Sequence, residues 1–365
     1  MMTKKLLSVI SFILSIFLLC SCALTQNNES TSSKPEDLSA EESKFESSQA
    51  EESKDTSVEG TLAVHFLDVG QGDSIFVELP NGECMLIDAS EREFANRIIS
   101  YIDCLGYSRI DHLIATHPHA DHIGGMQTIV ESFEIGEVYM PEAVTDTKTF
   151  INLLEAFDEK GLGITVVKAG LTVNFGGANG KFVAPSVIVD DMNNCSAVLH
   201  LSFGNRAFLF TGDAEIDEEG TIEGDVKCDV LKVGHHGSST SSGEYLLGKA
   251  KPEIAVISCG EGNSYGHPHK EALDRLESGG VKSIYRTDIS GNITVSTNGS
   301  TLDIKENVKI SEHKWVLNIS SKRVHTADCG GAADMKEENK AYSVRSLEEL
   351  QKLGYALCST CKPKE

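Results

Sequence analysis

The sequence predicts an α/β layered domain across roughly residues 61–306. Short apolar runs of strand length outnumber helical ones, and stretches with helical spacing are interspersed among them. The composition also changes abruptly at Thr61, from polar to core-forming. The chain has 365 residues, enough for one large domain and a small one, and a hydrophobic fraction of 40% supplies an ordinary core.

The elements follow in order. Residues 62–69 read as a buried strand, and 74–79 and 84–87 as two more, with Pro80-Asn81-Gly82 turning between them. Residues 93–105 have helical spacing, with Phe94, Ile98, Ile99 and Ile102 on one face. A short apolar strand at 112–115 leads into a His-rich loop, and 123–126 opens a helix reaching about residue 133. Further strands are expected at 137–140, 163–168, 181–189, 196–202, 206–211, 229–233 and 253–258, with helices near 214–220 and 242–249. Residues 273–278 look helical, and 281–304 look like closing strands. No repeat recurs at a fixed long period.

The N-terminus reads as an export signal. Lys4 and Lys5 precede an apolar stretch at 6–19 that is short for a membrane span. The sequence Leu19-Cys20-Ser21-Cys22 resembles the bacterial lipoprotein processing box, with small Ser21 before Cys22. Residues 1–22 are therefore expected to be a lipoprotein signal, with Cys22 the lipidated residue; a plain signal peptide or an uncleaved anchor is the alternative. Either way the body of the protein is expected outside the cytoplasm, and lipidation would anchor it to the bacterial cell membrane. Residues 23–60 are rich in Ser and Glu, cannot bury enough apolar surface to fold, and read as a disordered tether. The formal net charge is −23, so bulk electrostatics do not draw the chain onto nucleic acid or anionic lipid. Part of that excess sits in the tether, where residues 26–60 hold ten Asp/Glu against three Lys.

Residues 306–314 are polar and linker-like, and a second unit is expected at 315–363. It has a strand at 316–319 and a helix whose start, Ser346-Leu347-Glu348-Glu349, fits a capping box; the helix should end near Gly354. A unit of about fifty residues has little core and needs a staple.

The chemistry concentrates at 116–125, Thr-His-Pro-His-Ala-Asp-His-Ile-Gly-Gly, where His117, His119, Asp121 and His122 fall within six positions. Imidazole suits zinc and other first-row metals, and carboxylate admits harder ions. Four such groups exceed what one catalytic zinc takes from a single segment, so the spacing points to two metals. In a loop running into a helix, His117 and His119 can face one metal while Asp121 and His122 face a second, with Gly124 and Gly125 permitting close approach. An apolar strand ends in Gly212-Asp213, placing a carboxylate where it can bridge two metals, and another ends in His235-His236. In Gly266-His267-Pro268-His269, either His could be a ligand, a proton donor or a turn residue. Asp73 follows Gly70 and Gly72 in a flexible turn, where it could orient a His, contact substrate or serve the turn. Lys232 either neutralises a phosphate or is a solvated strand-edge lysine.

The His-x-His-x-Asp-His signature at 117–122 and the Gly-Asp at 212–213 resemble the metallo-β-lactamase fold superfamily. Residues 68–74, Asp-Val-Gly-Gln-Gly-Asp-Ser, together with 231–238 and 265–269, look like its ComEC-type, competence-related branch, which includes the soluble hydrolase domain of the DNA-uptake channel. The resemblance covers about 61–300. It implies an αββα sandwich with a dinuclear site between the sheets, and His117, His119, Asp121, His122 and Asp213 as ligands with His236 (or His235) as a sixth. One departure stands out: many members carry a His ligand before the Gly-Asp turn, but His200 falls outside the Asn-x-Ser-x-Val-Leu pattern at 194–199. Two divalent cations, zinc or manganese, would activate a shared water at neutral pH and clamp the reacting oxygens. The branch favours attack on a phosphodiester, with DNA as the expected partner and Asp121, Asp73, Lys232 and His267 as catalytic candidates. Acyl substrates such as lactones or β-lactams would use the same metals, and a catalytically weak DNA-binding accessory is the rival class. No protein partner is implied.

In the C-terminal unit, His325 and Cys329 precede Cys358-Ser-Thr-Cys361, a zinc-ribbon-like spacing. Residues 322–329 and 354–363 resemble small modules related to the Ada-type metal-binding domain, implying one structural zinc on His325, Cys329, Cys358 and Cys361. The competing reading is a Cys358–Cys361 disulfide. Such a module could bind nucleic acid or be purely structural. Cys84, Cys104, Cys195, Cys228 and Cys259 stand singly, as buried thiols do.

Overall fold

A computed structural model of the chain describes residues 59–310 and 313–365. The expected signal peptide at 1–22, with Cys22, and almost all of the tether at 23–60 lie outside the described residues. Among the described residues, no helix is long and apolar enough to cross a membrane.

Fifteen strands build two sheets: β1 Leu62–Phe66, β2 Ile75–Glu78, β3 Cys84–Ile87, β4 Arg109–Ile114, β5 Glu134–Pro141, β6 Ile164–Val167, β7 Thr172–Phe175, β8 Ala178–Ala184, β9 Val198–Phe203, β10 Arg206–Phe210, β11 Val230–Lys232, β12 Ile254–Ile257, β13 Ser283–Arg286, β14 Ile293–Thr297 and β15 Leu302–Lys305. The first sheet has the order β15-β14-β1-β2-β3-β4-β5-β6 and the second β13-β12-β11-β10-β9-β8-β7. In each, hairpin-linked antiparallel strands join a run of parallel ones, β3 to β6 in the first and β10 to β13 in the second. Parallel strands need crossover connections, and these carry the helices.

The sheets pack face to face. Val64, Phe66, Ile75 and Val77 of the first share one buried cluster with Phe182, Leu199, Phe208 and Phe210 of the second. The Phe66 and Phe210 rings meet across the interface at 6.4 Å. The alternate residues Val183, Val198, Leu209 and Leu231 face the other way, under Leu246, Leu247 and Leu276 of the helices Glu244–Ala250 and Lys270–Ser278. Helices Ala95–Cys104, Met126–Ser132 and Lys148–Glu159 bury Ile98, Ile102, Ile129, Phe150 and Leu153. The architecture is the αββα sandwich.

The expected helix from 123 arrives in two pieces, Ala120–Ile123 and Met126–Ser132, broken at Gly124-Gly125. The Gly125 amide donates to the Ser90 carbonyl at 2.8 Å, and a Cβ there would collide with the Ala89 carbonyl. The strand expected at 181–189 is β8, which starts earlier and ends at Ala184. The helix Lys148–Glu159, capped by Thr147, and the four-residue β7 were not expected.

The C-terminal stretch forms a separate four-stranded sheet of β16 Trp315–Asn318, β17 Arg323–His325, β18 Lys340–Ser343 and β19 Ala356–Leu357, in the order β18-β16-β17-β19. Trp315, Leu317, Val324, Leu347 and Leu350 make its small core. The capping box is present: Ser346 Oγ accepts the Glu349 amide at 3.2 Å and Glu349 Oε2 accepts the Ser346 amide at 2.8 Å. The helix Leu347–Lys352 is followed by Gly354 at φ +85°. This unit is seated on the helix Ala95–Cys104. Arg345 Nε lies 2.7 Å from Asp103 Oδ2, and the Ser343 hydroxyl and Val344 amide donate to Asp103 Oδ1 at 3.0 and 3.1 Å. The Arg345 guanidinium also lies 4.8 Å from the centre of the Phe133 ring.

Candidate metal centre

The parallel strands of both sheets end in the loops that hold the site, as expected for a layered α/β fold. β4 runs into Thr116 and His117, the helix Ala120–Ile123 carries Asp121 and His122, the turn after β10 carries Asp213, and β11 leads to His235 and His236. Asp213 lies among them. His122 Nε2 is 3.2 Å from its Oδ1, and His236 Nε2 and His117 Nε2 are 3.5 and 3.9 Å from its Oδ2. Asp121 Oδ2 is 3.4 Å from His236 Nε2. Ligand atoms of Asp121, His122, Asp213 and His236 all fall within 4.8 Å of one another. His119 joins through His117, its Nδ1 lying 3.0 Å from His117 Nε2.

Hydrogen bonds from neighbouring groups fix which ring nitrogen each imidazole turns to the centre. His122 Nδ1 donates to Asp88 Oδ2 at 2.7 Å and His236 Nδ1 donates to the Ser258 carbonyl at 3.0 Å. The Thr116 hydroxyl donates to Asp88 Oδ2 at 2.6 Å, so its oxygen accepts from His117 Nδ1 at 3.1 Å. Each ring is thereby left with Nε2 as its metal-binding atom. The residues fit a cation: His122 Nε2, His236 Nε2 and Asp213 Oδ1 are buried without a hydrogen-bond partner. His122 Nε2 and Asp213 Oδ1 are close but not aligned as a hydrogen bond. Orphaned buried polar atoms are costly, and one cation among them satisfies several at once.

The electrostatics agree. Burial would keep His122 and His236 neutral, yet Asp213 beside both, with Asp88 beside His122 and Asp121 and Asp73 beside His236, raises them well above the usual imidazole range. A cation held by these residues would take the place of those protons, which would link metal binding to proton release. His235 and His236 both stand in the left-handed region, at φ +46° and +54°. Two consecutive non-glycine residues held there store strain, which concentrates at functional sites.

The structure corrects several expectations. Lys232 is not at a solvated strand edge, nor open to a substrate phosphate. Its side chain is fully buried, with Nζ 2.7 Å from Asp73 Oδ2 and donating to the Val233 carbonyl at 2.9 Å. The turn carrying Asp73 is pinned rather than flexible: the Asp73 amide donates to the Asp121 carbonyl and its own carbonyl accepts the Ser90 amide. Asp73 is buried, with its Oδ1 3.3 Å from His236 Nδ1, whose hydrogen bond goes to the Ser258 carbonyl. Burial would raise the Asp73 carboxyl, but the Lys232 ammonium, and then His236, hold it at about 2. His235 is more exposed and pairs with Glu215 at 2.9 Å, which leaves His236 as the central ligand candidate. His200 is spent on the Lys227 carbonyl and joins none of the candidate metal groups among the described residues.

His267 lies beside the centre, its ring 5.6 Å from His235 and 6.2 Å from His236. The Gly260 amide donates to Gln71 Oε1, which orients the Gln71 amide so that Nε2 donates to His267 Nδ1 at 3.4 Å. His267 therefore carries its proton on Nε2. Burial, and then His236, His235 and His269, lower it to about 4, so it is a neutral hydrogen-bond donor near pH 7.

Sequence reasoning missed Asp88, Ser196 and Glu215. Asp88, at the end of β3, receives the Thr116 amide as well as His122. Ser196 Oγ accepts the Asp213 amide at 3.1 Å and lies 3.4 Å from His117 Nδ1. A strand-end carboxylate was the available signal for Asp88, as it was for Asp213.

In the C-terminal unit His325, Cys329, Cys358 and Cys361 gather their ligand atoms within 4.8 Å. His325 Nδ1 is 3.3 Å from Cys329 Sγ, and the Thr326 and Thr360 amides donate to Cys361 Sγ and Cys358 Sγ at 3.4 Å. All eight described cysteines are free, Cys358 and Cys361 among them. Backbone amides of Cys361 and Thr360 draw the Cys358 thiol down to about 7, toward the thiolate a metal takes.

Residues 67–261 match the metallo-beta-lactamase superfamily. ComE operon protein 3 of Bacillus subtilis (strain 168) is 30% identical over 251 residues, 63% of this chain and 32% of its own. Recombination protein 2 of Haemophilus influenzae is 30% identical over 254 residues, 67% of this chain and 30% of its own. Competence protein ComA of Neisseria gonorrhoeae is 31% identical over 241 residues, 64% of this chain and 32% of its own. The chain thus spans only 30–32% of the length of these relatives. With more than half of its 365 residues matched and a candidate metal centre at the loop ends, the chain belongs to the metallo-beta-lactamase superfamily, and it is similar to competence proteins over part of their length.

Proposed function

We propose that the chain hydrolyses phosphodiester bonds in nucleic acid, with two divalent cations, zinc or manganese, held by His117, His119, Asp121, His122, Asp213 and His236. The observation that carries this reading is the buried carboxylate of Asp213, approached by His117, His122 and His236. A pair of metals held by these residues would supply an activated water and positive charge to the reacting phosphodiester. The chain's own groups do the rest. Asp88, Ser258 and Thr116 fix the imidazoles, Asp73 pairs with Lys232 beside His236, and the neutral His267 offers Nε2–H to a phosphoryl oxygen. Its relatives, named as competence and recombination proteins, support nucleic acid as the substrate class.

The test is cleavage of single- and double-stranded DNA by the purified full chain with zinc or manganese. Loss of cleavage in Asp213→Asn and His119→Ala, with the circular dichroism of the fold retained, is the expected result. Turnover of a lactone or a chromogenic β-lactam without turnover of a phosphodiester would replace the substrate class. DNA binding without cleavage in either metal would make the chain an accessory protein.

The structural role of the second metal group, one zinc on His325, Cys329, Cys358 and Cys361, and lipid attachment at Cys22 complete the proposal. Cys22→Ser should move the protein from the membrane fraction to the soluble one.

A further inference from the structure

Tyr265 sits where the chemistry described so far gives it no task. It is 65% exposed, beside a centre whose other aromatic groups are mostly enclosed. Its ring stacks on His267, with centroids 5.6 Å apart and planes inclined by 21°. His267 in turn touches the rings of His235 and His236, so the tyrosine is one layer removed from the metal-binding imidazoles. The other half-exposed tyrosine, Tyr245, is used by its own surroundings: its hydroxyl donates to the Ile222 carbonyl and the Lys249 amine lies 5.1 Å from its ring centre. The Tyr265 hydroxyl has no hydrogen-bond partner among the described residues.

The loop that presents Tyr265 is built rather than slack. Asn263 donates to the Gly260 and His267 carbonyls at 2.9 and 2.7 Å and accepts the His267 amide at 3.0 Å. His269 Nε2 donates to the Tyr265 carbonyl at 3.1 Å, and Gln71 holds His267 from the neighbouring loop. A flat ring with one face covered by a fixed imidazole and the other open to solvent is a stacking platform with its ordering entropy already spent.

We propose that the open face of Tyr265 is a nucleobase subsite, seating one unstacked base beside the phosphodiester at the metal centre. The substrate class is accordingly single-stranded nucleic acid or a frayed duplex end, because a base paired inside a helix has no free face to offer. This deepens the phosphodiester reading and rests on it. It also explains how a chain of net charge −23 can hold a polyanion: stacking is indifferent to charge, and the metals meet the phosphate.

The test compares the wild-type full chain with Tyr265→Ala and Tyr265→Phe on a single-stranded oligonucleotide and on the same backbone with abasic residues. Base–aromatic stacking is worth roughly tenfold in affinity. The preference for the base-bearing strand, as a ratio of kcat/KM, should fall about tenfold in Tyr265→Ala, through KM, and be kept in Tyr265→Phe. A 2-aminopurine tetranucleotide, read by fluorescence quenching, should bind about tenfold more weakly to Tyr265→Ala. An unchanged preference, or equal losses on both substrates, would overturn the subsite and leave the nuclease standing. Tyr265-dependent quenching without cleavage of either strand would instead remove the nuclease and leave a nucleobase-binding site.

Discussion

Asp88 holds one of the candidate ligands, His122, in place. Its carboxylate receives the Thr116 amide, the Thr116 hydroxyl and His122 Nδ1, so the strand end, the loop and the ligand ring are set by one side chain. Asp88→Asn keeps the shape and weakens the charge that orients His122. Metal affinity should fall by about 10- to 100-fold, measured by competition with a chromogenic chelator, with little change in fold. Glu218 supplies a pH dependence away from the metals. Burial lifts its carboxyl to about 9, which the Ser196 amide offsets only in part. The folded value exceeds the unfolded one, so the stability it contributes is complete below about pH 4.5 and is lost as pH rises through about 9. Glu218→Gln mimics the neutral acid. Its melting temperature should therefore gain on the wild type steadily from pH 5 to 9, and a constant difference would count against a buried neutral carboxyl.

Among the elements, the seat of the C-terminal unit is the most exposed to a single change. Arg345→Ala leaves Asp103 buried beside the helix end without its cation, which costs about 3–5 kcal/mol. Thermal unfolding should shift down accordingly, whereas Ser346→Ala, which removes only the cap of Leu347–Lys352, should cost about 1 kcal/mol. The candidate ligands within the loop stand out in the sequence because four of them fall in six positions, a local signal that no folding is needed to decode. Strands β1, β3 and β10 were legible because continuous apolar runs bounded by turns leave few other structures. The helix Lys148–Glu159 follows helical spacing at Phe150, Leu153, Leu154 and Phe157, a signal that went unread behind a polar start. β7 has four residues of alternating exposure, too few to establish a period. Lys232 misled for a different reason. A lysine at a strand end reads as solvated, and only the fold brings Asp73 beneath it; Asp88 likewise stands 34 residues from the His122 it holds.

The described residues combine candidate metal groups of unlike chemistry, His with carboxylates in the sandwich and His with three Cys in the C-terminal unit. Elemental analysis should find about three metals per chain, and Cys361→Ser should remove one while sparing the other two. That variant should lose thermal stability, since its small sheet has only one modest core on each face.

β1 lies inside the first sheet, between β2 and β14, with Leu62 opposite Thr297. The earliest strand of the sandwich to be synthesised therefore waits for one of the last. Until residue 297 is available, one flank of β1 is a row of unpaired amides and carbonyls, a template for a neighbouring chain. Closure is a late, long-range event, slow by the loop entropy it must overcome. A ribosome-bound or prematurely terminated chain is thus a sticky one, and chaperone demand should peak before β14 emerges.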